Sequence, residues 1–135
     1  MPAAPVYVIS TGIYWRNAWK YEARTYRHFG WDNGTILANL VTMAGAMGWE
    51  AEVCVGFVDA AVNRLLGLDT AKEVALTVTA VGSVEVVPEA PGGMPELRPA
   101  TVPVSRTEVD YPLMREVHAA TELSSEAAVR RWRER

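Results

Sequence analysis

Apolar residues recur at helical spacing from Thr35 to Met47, where Ile36, Leu40, Met43, Ala44 and Met47 form a stripe that Leu37 and Val41 widen. Only Thr35, Asn39 and Thr42 interrupt it, so the pattern predicts a helix buried on most faces and ending in a left-handed Gly48. Asn39 then requires a hydrogen-bond partner, because an unsatisfied buried amide costs about 1–3 kcal/mol. Neighbouring backbone supplies one most simply; a second subunit or a ligand are the alternatives. Immediately before it, Trp31-Asp32-Asn33-Gly34 reads as a turn, with Asp32 or Asn33 placed to cap the helix.

Other segments carry different patterns. Val6 to Tyr14 is rich in β-branched and aromatic residues and predicts a strand. Trp15 to His28 interleaves aromatics with bases and is compatible with helix or irregular loop. Val53-Cys54-Val55 predicts a short apolar strand running into Gly56-Phe57. Asp59 is placed as the N-cap of a helix with Val62, Leu65 and Leu66 on one face and Gly67 at its stop. Val74 to Val81 alternates, predicting a half-buried strand that ends at Gly82. From Val87 to Pro103, prolines and glycines deny regular hydrogen bonding and predict an extended connector. Two short helices come next: one capped by Asp110 with Pro112 in its first turn, the other capped by Ser124 or Ser125 and carrying Val129 and Trp132. This order of elements predicts an α+β fold, a short sheet with packed helices and a helical C-terminal tail.

Composition narrows the function classes. The chain has 135 residues, half of them apolar and 21% charged, as in a globular domain. No apolar run approaches the roughly 18–20 residues that span a bilayer, and the opening residues lack the blocks of a secretory signal, so a cytoplasmic protein is expected. Cys54 is the single cysteine, which excludes an internal disulfide framework. His28 and His118 have no metal-ligand spacing, and each reads as a surface or packing residue, so no metal site is expected. The net charge of −3 argues against nucleic-acid binding. Arg16, Lys20, Arg24 and Arg27 nonetheless cluster against the single acid Glu22, which suits either an anionic ligand or a solvated face. Tyr21, Tyr26 and Trp31 suit either a substrate pocket or aromatic packing.

Two stretches carry a family signature. Tyr14 to Leu40 (YWRNAWKYEARTYRHFGWDNGTILANL) joins an Arg- and Tyr-bearing segment to an acid near a glycine and then a buried helix ending in Asn-Leu. Gly56 to Leu68 (GFVDAAVNRLLGL) is a loop and short helix after a strand, followed by VALTVTAVG. In order and spacing these resemble the SagB-type dehydrogenase branch of the nitroreductase-like, FMN-dependent oxidoreductases, over Val6 to about Gly82. The resemblance implies FMN as cofactor, with the backbone of Val55 and Gly56 facing the flavin ring, Cys54 lining the same wall and Arg98 reaching the phosphate. A glycine after a buried strand suits that role, since it admits close approach of a flat ring to the main chain.

The Arg-Ser-Arg type segment that holds the phosphate and ribityl chain in that family has no counterpart before Val6. The expectation is therefore the C-terminal half of a nitroreductase-like domain over residues 1–99, with a linker-like helical tail over residues 100–135. Such a half implies a homodimer, or a complementary domain that completes the flavin site, acting on a small molecule or modified peptide. The alternative is a truncated, non-catalytic module that binds a partner protein or peptide.

Overall fold

The computed structural model of the chain describes residues 2–85, 93, 95–102 and 105–135. Residues 87–92, 94 and 103 of the expected connector, 87–103, lie outside the described residues. A three-stranded antiparallel sheet is built from β1 (Val6–Ile13), β2 (Ala51–Cys54) and β3 (Glu73–Val81), in the order β1-β3-β2. Helix α1 (Ala18–Tyr21) and a 3₁₀ turn (Glu22–Arg24) lead into the 22-residue α2 (Thr25–Ala46). Helix α3 (Asp59–Leu66) joins β2 to β3, and α4 (Pro112–Thr121) and α5 (Glu126–Arg133) form the tail. The mixed architecture is the α+β arrangement expected.

Strand β3 was expected to be half-buried, but as the central strand it is buried on both faces. Its pairing with β1 slips between Ser10 and Thr11, where Ser10 opposes Thr77 and Thr11 opposes Ala75. Leu76 is thus an extra residue, and the bulge breaks strict alternation. Ala75 and Val78 consequently share one cluster with Phe57 and Val62, while Val74 joins Tyr14, Ala18 and Met114 in another. The buried Asn63 of α3 accepts the Ala75 N–H through its amide oxygen at 2.8 Å. A side chain thereby satisfies a donor at the interrupted ladder.

Helix α2 departs from expectation at both its start and its burial. Asp32 and Asn33 lie inside it rather than in a turn, and helix continues back to Thr25. Asn33 faces the sheet, buried, with its Nδ2 donating to Thr77 Oγ1 at 3.3 Å. That tie to β3 helps hold helical a stretch containing Gly30 and Gly34, each about 1 kcal/mol poorer than alanine. The C-terminal stop is as expected: Gly48 has φ 74°, and Trp49 N–H donates to Ala44 O at 2.8 Å. The apolar stripe, however, is largely uncovered: Ile36, Val41, Met43 and Met47 are exposed, Leu37 and Leu40 are half-buried, and Ala44 alone is buried. Asn39 is exposed too, and its Nδ2 donates to Thr35 O at 2.8 Å, so neighbouring backbone is the partner.

Helix α3 ends at a left-handed Gly67 (φ 65°), as the sequence predicts. Asp59 does not cap it. Val58 holds the N-cap position, while Asp59 Oδ2 accepts Leu123 N–H at 2.7 Å and Asp59 N–H donates to Leu123 O at 3.2 Å. This pair of bonds fastens the segment between α4 and α5 to the start of α3. Helix α4 is anchored by Met114 in the first core cluster, and Asp110 pairs with Arg115 instead of capping. Ser125 caps α5 through its Oγ, which accepts Ala128 N–H at 3.2 Å.

Asn63→Ala should lower stability by about 1–3 kcal/mol, because the Ala75 N–H loses its acceptor in a buried place. Asn39→Ala, at an exposed site, should change it by no more than about 0.5 kcal/mol. Urea unfolding of the two variants checks both; equal effects would contradict the assignment.

Candidate functional site

Strand β2 delivers the chain from Cys54, through Val55 and Gly56, to the buried Phe57, which pins the turn into the second core cluster. Val55 stays exposed and Gly56 is buried. Both N-terminal neighbours expected at the site are therefore together with Gly56, on one stretch of main chain. The Cys54 thiol donates to Gly56 O at 3.2 Å, and Arg133 Nη2 donates to the same carbonyl at 3.2 Å while lying 3.2 Å from Cys54 Sγ.

That main chain is covered. A Cβ built on Gly56 would lie 2.7 Å from Cε3 and Cζ3 of Trp132, so the indole rests where a side chain would have to be. Only glycine permits this contact. Beside it, a cavity of about 240 Å³ is lined by Val55, Phe57, Tyr26, Leu76, His118 and Trp132, among others. Trp132 is therefore both the cover of Gly56 and one wall of the cavity.

Across the cavity, Tyr26 OH bonds His118 Nδ1 at 3.1 Å. His118 is buried, as a packing histidine should be, and its Nε2 lies 3.6 Å from Glu122 Oε1, beyond hydrogen-bond reach. Burial above all, then the nearby Tyr26 and Glu122, holds the Tyr14 hydroxyl well above the usual phenol range. Of the three aromatics singled out from the sequence, only Tyr26 reaches the cavity. Tyr21 stacks on His28 at 3.9 Å between ring centroids, and Trp31 meets His28 edge-on under Arg24 and Arg27. Part of the basic cluster thus sits over aromatic faces.

Arg98 is placed elsewhere. Its side chain is exposed and pairs with Glu96 at 3.4 Å, next to Leu97, whose N–H donates to Leu65 O at the C-terminal end of α3. Gly56 precedes the other end of that eight-residue helix, which is about 12 Å long. Trp132 and Arg133, by contrast, were not read as site residues; they reach Gly56 across 76 and 77 positions of chain, and no local pattern signals such a contact. Among the described residues no group of histidine, cysteine and acidic side chains could hold a metal ion, and no helix is long and apolar enough to cross a membrane.

The nitroreductase family model matches residues 1–83, more than half of the chain, and the chain belongs to that family. It is similar to a solved structure described as a nitroreductase from Anabaena variabilis, with 30% identity and a TM-score of 0.66. The match covers 89% of this chain and 25% of that one, so this chain spans about a quarter of that relative's length. No curated protein matches it. The architecture is a partial nitroreductase-like fold.

Tyr26→Phe should leave His118 Nδ1 buried without its partner and cost about 1–3 kcal/mol of stability. Amide exchange across α4 should quicken in the same variant, because the bond ties α4 to α2. Unaltered exchange over residues 112–121 would show that the pair does not anchor the helix.

Proposed function

We propose that this chain is part of an FMN-dependent oxidoreductase, with the flavin ring seated against the main chain of Val55 and Gly56. The observation that carries this is the Gly56 platform: main chain without a side chain, at the end of a core-anchored strand, already bearing a flat aromatic ring. When bound, flavin supplies the hydride or electron chemistry. Val55 and Gly56 would orient the ring, and Cys54 would stiffen the turn through its bond to Gly56 O. The phosphate end has one proposed cation, Arg98, which pairs with Glu96 beside the far end of α3, about one helix length from the platform.

A complementary surface therefore completes the site, from a second copy or from another domain. The solvent-facing Ile36, Met43 and Met47, at helical spacing on α2, offer an apolar face suited to such a contact. The substrate class within the family is a heterocycle in a modified peptide, in the manner of SagB-type dehydrogenases. A nitro compound or quinone reduced by a nicotinamide donor is the broader family alternative. The non-catalytic module remains a second reading, favoured by the same exposed α2 face and by the indole that covers Gly56.

Purified protein mixed with FMN and then desalted should retain a yellow chromophore with flavin absorption. Gly56→Val, made together with Trp132→Ala so that the added methyls do not simply meet the indole, should lose it while still unfolding cooperatively in urea. A protein that stays colourless at every FMN concentration supports the module reading, and undiminished retention in the double variant places the flavin elsewhere.

A further inference from the structure

Three features of α5 bear on the Gly56 platform. Its Trp132 indole lies on the glycine, its Arg133 guanidinium holds the glycine carbonyl, and the helix buries no residue of its own. The segment before it is held fast, by the two Asp59–Leu123 bonds and by Met114 of α4 in the core. Between them, Ser124 and the Ser125 cap are exposed. An eight-residue helix has little stability by itself, so the contacts at Gly56, with the half-buried Ala128 and Val129, are what hold it down. Leaving would break no core cluster, and it would widen the adjoining cavity over the glycine, because Trp132 is a wall of that cavity.

We infer that Trp132 is the resident occupant of a seat for flat heteroaromatic rings, and that a flavin ring and the indole compete for it. The inference rests on the flavin reading above and adds to it a closed state, set by this chain's own tail. An indole of two fused rings and an isoalloxazine of three are both planar, and both need main chain without a Cβ. They cannot occupy the platform together. Arg133 strengthens the closed state through Gly56 O, and it is freed when α5 lifts. Apparent flavin affinity is then the intrinsic affinity reduced by the fraction of molecules with α5 open.

The test uses the full chain as wild type, Trp132→Ala, Trp132→Phe and Arg133→Gln, each titrated with FMN and followed by flavin fluorescence. Trp132 is 43% exposed, so its loss leaves the core intact. Trp132→Ala should bind FMN about tenfold more tightly than wild type, Arg133→Gln should show a smaller gain, and Trp132→Phe should stay near wild type. In the wild type, FMN should also speed amide exchange over residues 126–133. Unchanged binding in Trp132→Ala overturns the competition, and weaker binding, or FMN that slows exchange in α5, overturns it and makes the indole part of the flavin seat; the flavin reading would survive. Absence of FMN binding in every variant overturns both.

Discussion

With only a hydrogen on its α-carbon, Gly56 lets an aromatic ring rest directly on the main chain where β2 passes into α3. The surroundings of that contact are arranged to keep it in place. Phe57 roots the turn in the core, the Cys54 thiol and Arg133 share the glycine carbonyl, and Asp59 grips the segment from which α5 springs. A tail helix with no buried residue of its own is thereby held against the sheet's edge. The same bare main chain that accepts the indole is what a flat cofactor requires, so one missing side chain underlies both the closed structure and the proposed chemistry.

Behind the platform, rigidity comes from β3. As the central strand of three it is buried on both faces, and its bulge at Leu76 lets Ala75 and Val78 feed the same cluster that pins Phe57. Asn63 repairs the interrupted ladder from α3, which ties the helix after the platform to the strand behind it. The site thus rests on a scaffold made within residues 51–81, while its cover comes from the tail.

The strands and the helices flanking Gly56 were legible because each obeys a local rule. β-Branched and aromatic enrichment marks Val6–Ile13, and glycine stops mark both Gly48 and Gly67. The start of α2 was not legible: Trp31-Asp32-Asn33-Gly34 has turn chemistry, and tertiary contacts, the bond from Asn33 to Thr77 and the packing of Tyr26 and Phe29 on the core, show why it is helical. The apolar stripe of α2 is legible as apolar, but only Ala44 of it is fully buried, since sequence reports the need for cover and not who provides it. Of the site, Cys54, Val55 and Gly56 lie together because they are adjacent in sequence. Arg98 was reached through a connector whose path no periodicity fixes, and it lies by the far end of α3. The Trp132 contact, separated from Gly56 by more than half the chain, exists only in three dimensions.

The central claim is that a flavin ring seats on the main chain of Val55 and Gly56, and backbone amide NMR during an FMN titration tests it most directly. The account predicts that the largest shift changes fall on the Val55 and Gly56 amides, with a change at the Trp132 indole N–H at the same FMN concentration. Saturable changes centred on another surface, with Val55 and Gly56 unmoved, would contradict it.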